Sequence, residues 1–229
     1  MSIRKLIVTS VLLVVFATSA NAQFSAIGVR AGLGFATISD DLFMNSTLGY
    51  NIGGYANYSF SIGALPEMEL QSGLFLARRG AKMVKTDLIK EIEDICQPWY
   101  LQIPLKISYT YRLPISDEHF VSVSVGPAAN IGLFGKGYKT VISPEYVGIR
   151  GEENNSQSEY EMFDKWNRFD VSILIGFGYR FRDYTFDFII DSGLLVPHSE
   201  MDALVSDRNS FTGTQKSFIF SLGYYFSLK

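Results

Sequence analysis

Apolar and polar residues alternate with a period of two along most of this chain, and the alternation divides it into eight segments. Residues 24–36 set Ile27, Val29, Ala31, Leu33 and Phe35 against Ala26, Gly28, Arg30, Gly32 and Gly34. Residues 50–60 oppose Ile52, Ala56, Tyr58 and Phe60 to Asn51, Gly53, Tyr55, Asn57 and Ser59. In 66–82, Met68, Leu70, Leu74 and Leu76 face away from Glu67, Glu69, Gln71 and Gly73; in 100–111, Leu101, Ile103, Leu105 and Ile107 face away from Gln102, Lys106 and Ser108. The same pattern recurs from Val121, around 169–180, around 184–191 and in 217–228. A period of two identifies strands, and a bulky apolar parity opposite one of Gly, Ser and charged residues is the pattern of strands whose outer face meets lipid. A soluble sandwich or lipocalin-like barrel also alternates, since parity alone does not say which face points inward.

The links between segments bear on that choice. Links at 61–65, 112–119 and 182–183 are short, whereas those at 37–49, 83–99, 132–166 and 197–214 are long. Strict alternation of short and long matches outer-membrane barrels, with short periplasmic turns and longer extracellular loops. The expected fold is therefore all-β: an eight-stranded antiparallel up-and-down transmembrane β-barrel with both termini periplasmic. Aromatic residues cluster by strand end. Tyr58/Phe60, Tyr109/Tyr111, Tyr179/Phe181, Tyr184/Phe186 and Tyr224/Phe226 mark the turn end; Phe35, Tyr50, Trp99, Trp166 and Phe169 mark the loop end. Rings that are apolar in body and polar at the tip favour the headgroup level, so two belts are expected.

The N-terminus supplies an address. Arg4 and Lys5 precede a short apolar stretch from Leu6 to Ala17, and small residues end in Ala20-Asn21-Ala22. This is the pattern of a cleavable secretory signal, predicting residues 1–22 as signal peptide and 23–229 as the barrel domain. The net charge is −3, and loss of Arg4 and Lys5 makes it −5. That balance offers no basic footprint for nucleic acid.

Candidate chemistry is sparse. Two His and one Cys, far apart, lack metal-ligand spacing, so no metal or cofactor is expected. The acidic pairs Asp40-Asp41 and Glu152-Glu153 sit without calcium-loop spacing. His198-Ser199-Glu200 contains the residue types of acyl chemistry, but neighbours on an extended chain point apart. His119 sits at a predicted turn. No catalytic residue is assigned. The inward charges Arg30, Glu67, Glu69, Arg79, Lys106, Asp170, Arg180, Asp187 and Asp191 are expected to fill the lumen as salt bridges, since eight strands enclose a space that side chains fill. Pairing through the 182–183 link puts Arg180 opposite Thr185 and diagonal to Asp187, its expected partner. Leu88, Ile92 and Ile95 fall at helical spacing within 87–96, which predicts a short helix over the barrel mouth.

Several stretches carry a family resemblance: Glu69 to Lys82 (ELQSGLFLARRGAK), Tyr100 to Lys106 (YLQIPLK), Val125-Gly126-Pro127, Gly176-Phe177-Gly178-Tyr179 and Ser221 to Phe226 (SLGYYF). They resemble the PorT-like outer-membrane β-barrel proteins of Gram-negative bacteria. The resemblance implies the fold, the location, contact with outer-membrane lipid and insertion by barrel-assembly machinery. It does not transfer a role, because family members differ in theirs. Ser227-Leu228-Lys229 departs from the aromatic ending common in such barrels. The expected function is a structural or interaction/secretion-associated barrel, with a protein partner docking through the long extracellular loops; a lipid-modifying acyl hydrolase or transferase and a narrow channel are the alternatives.

Overall fold

The computed structural model describes residues 23–38, 46–60, 68–86, 91–145, 152–164, 166–195 and 214–228. The expected signal segment, Glu67, Asp40-Asp41, the link at 61–65 and His198-Ser199-Glu200 lie outside the described residues.

Among the described residues, ten strands and one turn of 3-10 helix follow in order: β1 Gln23–Thr37, β2 Thr47–Phe60, β3 Met68–Arg78, β4 Ala81–Thr86, β5 Glu91–Arg112, β6 His119–Glu145, β7 Glu152–Glu161, η1 Met162–Asp164, β8 Phe169–Phe181, β9 Tyr184–Gly193 and β10 Lys216–Ser227. Eight of them close a ring, β1-β2-β3-β5-β6-β8-β9-β10, through the β1–β10 and β5–β6 pairings. Every pairing is antiparallel. A closed ring leaves no unpaired edge around the barrel, as a lipid environment requires. Among the described residues no helix is long and apolar enough to cross a membrane; the strands do the crossing.

Burial decides what parity could not. In β1 the apolar set is exposed, with Val29 at 54%, Leu33 at 57% and Phe35 at 56%, while Arg30 on the opposite parity is 5% exposed. The bulky residues face out and the polar ones in, the reverse of a soluble barrel. The exposed apolar stripe of β1 runs from Ile27 to Phe35, close to the about 9–11 residues that a tilted strand needs to cross a bilayer. Aromatic contacts mark its borders. At the loop end Tyr50 stacks on Trp99 with centroids 6.2 Å apart, and Trp99 lies 6.0 Å from Phe134. At the turn end Tyr184 meets Tyr224 edge-on at 5.4 Å, and Tyr179 lies 6.1 Å from Phe186.

Two expectations fail beyond the loop end. The helix expected within 87–96 is absent where the chain is described: Glu91–Cys96 is the start of β5, paired with β4 on one side and β6 on the other. Much of the expected loop 132–166 is also strand, because β6 continues to Glu145 and β7 pairs with it. A bulge explains the missed extension. Trp99 pairs with Phe134 and Tyr100 with Gly132, leaving Leu133 extra. An extra residue flips the parity of its strand. Accordingly Asn130 and Gly132 are buried before the bulge, and Gly135 and Gly137 after it. The result is a four-stranded sheet, β4-β5-β6-β7, continuing past the barrel mouth.

Trp166 is the third correction. It is 4% exposed and belongs to a buried cluster with Ile38, Ala81, Cys96 and Met162. The cluster roofs the loop end, so Trp166 serves there and not in the lipid-facing belt.

Candidate functional site in the barrel lumen

Inward positions of the eight strands stack in layers along the barrel axis. Nearest the loop-end roof lies the Arg79 network. Arg79, 1% exposed, donates from Nη1 to Asp170 Oδ2 at 2.8 Å and from Nη2 to Asp191 Oδ1 at 3.2 Å. Gln102 Nε2 donates to Asp191 Oδ2 at 2.8 Å and to Asn130 Oδ1 at 3.0 Å, while Asn130 Nδ2 donates to Ser172 Oγ at 3.0 Å. Asn51 Nδ2 adds a bond to Gln102 Oε1 at 3.2 Å. Five strands beside the β3–β4 junction thus contribute to one buried polar unit. Low local dielectric strengthens such a unit when its bonds are made.

Below it Ala128, Leu174, Ile189 and Ile219 form a dry apolar layer, all buried. Next come Arg30, Asp187 and Lys106. Arg30 Nη1 lies 3.6 Å from Asp187 Oδ2, and its guanidinium stands 4.8 Å from the Phe75 centroid and 5.6 Å from that of Tyr55. Lys106 is 2% exposed beside this pair. Tyr55, Phe75, Tyr225 and Ala26 make the adjoining core. The glycine parity of β1 leaves room for them. A Cβ on Gly28 would strike the Tyr55 ring, and one on Gly32 would come within 2.7 Å of Ile219 Cγ2.

At the turn end the lumen opens into a well of about 450 Å³. Glu69 and Arg180 line it, and so do the rim pairs Arg112–Asp117 at 3.1 Å and Arg182–Glu118 at 2.9 Å. Arg182 turns the chain between β8 and β9 with a left-handed φ of 55°, an uncommon conformation for a non-glycine residue.

Of the expected lumen salt bridges, Arg79 with Asp170 and Asp191 and Arg30 with Asp187 form, whereas Glu69, Lys106 and Arg180 have no ion-pair partner among the described residues. Arg180 does pair with Thr185 across β8 and β9. Asp187, however, is bonded to Arg30 from β1, not to Arg180. Across a narrow barrel a partner two strands away competes with a diagonal neighbour. Arg180 instead lies between the Phe120 and Tyr225 rings, 4.2 Å and 4.1 Å from their centroids. Sequence parity shows which residues enter the lumen but not their depth after strand stagger, so this ring sandwich was not visible in it.

The other candidates stay apart. His119 Nδ1 lies 2.6 Å from Tyr179 Oη at the turn end, among aromatic rings. Glu152 and Glu153 open β7, opposite Glu145 and Pro144. Cys96 is a free, buried thiol in the roof, 3.6 Å from Tyr160 Oη. It lies three residues beyond Trp99, outside the lipid-facing stripe. Burial first, and the Asp94 carboxylate second, push its pKa up to about 12. Burial also raises that of Tyr160, which donates to Asp94 Oδ1 at 2.9 Å. Among the described residues, no three His, Cys, Asp or Glu side chains are grouped to hold a metal.

A closed eight-strand ring with an apolar exterior and a packed polar interior agrees with a family model that matches residues 16–195, the outer membrane protein beta-barrel domain. The chain belongs to that family. It is an outer-membrane β-barrel protein of bacteria. Similar solved structures include the N-terminal β-barrel domain of Pseudomonas aeruginosa OprF, at 12% identity over 90% of this chain and 100% of that chain, TM-score 0.35. Neisserial surface protein A is similar at 11% identity over 91% and 99%, TM-score 0.39. Ail, the attachment invasion locus protein of Yersinia pestis, is similar at 10% identity over 88% and 97%, TM-score 0.27. No curated protein matches the chain.

Proposed function

We propose that this barrel is a sealed, non-conducting membrane anchor that presents its β4-β5-β6-β7 sheet for interaction outside the cell. One observation carries the reading: roof, Arg79 network, apolar layer and Arg30–Asp187 pair fill the lumen at successive depths. A selective pore instead needs a continuous path, often ringed by charges of one sign. The sheet projects past the aromatic border at Trp99 and displays exposed polar residues from Ser156 to Glu159. In this reading the short turns and both strand termini lie on the periplasmic side. Planar-bilayer recording on the refolded barrel tests the seal. No discrete steps are expected; reproducible single-channel steps that persist after deletion of residues 146–151 would overturn the reading.

A further inference from the structure

The turn-end well carries two opposite charges that the lumen does not match. At its exposed rim Arg112 pairs with Asp117 and Arg182 with Glu118, while Asp183 accepts from Tyr224 Oη. Deeper in, Glu69 accepts from Asn57 Nδ2 at 2.7 Å, Ser25 Oγ at 3.3 Å and Tyr225 Oη at 3.4 Å. All three donors are neutral, and among the described residues no cation comes within ion-pair distance of this carboxylate. Arg180 has aromatic faces on two sides and, among the described residues, no carboxylate within ion-pair distance. Both groups line the well and the narrower pocket of about 50 Å³ that continues it. Tyr225 lies between them: its hydroxyl donates to Glu69 and is also reached by Arg180, whose guanidinium stands over its ring.

Gln71 adds a third, independent feature. It lines the inner pocket and is 9% exposed. Its Nε2 donates to Asn57 Oδ1 at 3.0 Å, which leaves Oε1 without a partner; Arg180 Nε is likewise without one. Buried polar atoms left unpaired are costly, so a cavity lined by them favours a ligand that supplies the missing bonds.

We propose that the well binds a small zwitterion of the amino-acid or dipeptide class. Its carboxylate would take charge-assisted bonds from Arg180, whose planar fork suits that group. Its ammonium would meet Glu69, with Gln71 Oε1 as a further acceptor. The well's volume falls in the range of small-molecule sites, roughly 300–1,000 Å³. A simple anion would leave Glu69 unanswered, and a simple cation would leave Arg180 so.

Calorimetric titration of the barrel, refolded in detergent, with L-alanyl-L-alanine tests this. The N-acetylated and C-amidated dipeptides serve as probes lacking one charge each. The dipeptide is expected to bind, and each capped form to bind at least about tenfold more weakly, a loss of one charge-assisted contact. Arg180→Gln and Glu69→Gln should each reproduce the loss, whereas Lys136→Gln, an exposed residue of β6 that does not line the well, should stay within about twofold. Heat-modifiable gel mobility reports folding of each variant. Should a variant fail to fold, the capped probes on the unaltered protein still decide. Equal binding of either capped form, or no binding of the dipeptide up to about 1 mM by folded protein, would overturn the proposal.

Discussion

Removal of Arg79 tests whether the lumen is held together by its charges or merely filled by them. The side chain is 1% exposed and its partners Asp170 and Asp191 are 9% and 2% exposed. Arg79→Ala would leave two carboxylates facing one another in a site that excludes water. Breaking a buried pair by deleting one partner costs about 3–5 kcal/mol, against roughly 0–1 kcal/mol for an exposed pair. The upper part of that range applies here, since one cation serves two acids and the loss also opens a cavity. Unfolding in urea, followed by the fluorescence of Trp99 and Trp166, measures the change, provided that the denaturant slope stays constant. The triple variant Arg79→Met, Asp170→Asn, Asp191→Asn removes every charge while keeping much of the volume, so it should recover most of the loss. A cost below about 1 kcal/mol for Arg79→Ala, or a triple variant no better than the single one, would refute the reasoning.

Other outcomes follow from the same geometry. In double-mutant cycles Asp187→Ala should couple to Arg30→Ala by about 0.5–3 kcal/mol and not to Arg180→Ala, the diagonal neighbour; coupling to Arg180 alone would reinstate that pair. Cys96, with its thiol pKa raised to about 12, should resist iodoacetamide at pH 8 in the folded barrel and react once urea exposes it, because only the thiolate attacks; rapid alkylation of folded protein would contradict the packed roof. Ser158→Cys, at an exposed position of β7, should be labelled by a membrane-impermeant maleimide on intact cells, and labelling only after the outer membrane is opened would reverse the proposed orientation.

Strand number and facing were legible because the lipid-facing stripe is a periodic feature of consecutive residues. Ile27 through Phe35 and Phe218 through Phe226 needed no tertiary knowledge to be read as outward sets. The extension past Trp99 was not legible for a local reason. Leu133 is the extra residue of a bulge, so the inward set passes from Asn130 and Gly132 to Gly135 and Gly137. A parity reading ends there. Ile92 and Ile95, beyond the lipid stripe, also lie at helical spacing, and β pairing on both sides overrides that weak signal. The Arg180 sandwich failed to show for a third reason: strand stagger brings Tyr225 of β10 and Phe120 of β6 to one depth, and pairwise sequence spacing carries no such information.

The described inward charges add up in a way that separates the well from the plug. Arg79 with Asp170 and Asp191 leaves one negative charge in excess, and Arg30 and Lys106 with Asp187 leave one positive. The buried layer of Ala128, Leu174, Ile189 and Ile219 lies between them. Counted by residue type, these three bases and three acids of the sealed half sum to zero. Inside the well Glu69 and Arg180 sum to zero, and the remaining unpaired lining charge, Asp183, sits at the exposed rim. The well can therefore gain or lose a neutral occupant without disturbing the balance above it, whereas a singly charged occupant would impose a net charge on a lumen walled by lipid. Charge balance thus favours, at the turn end, an occupant that bears both signs.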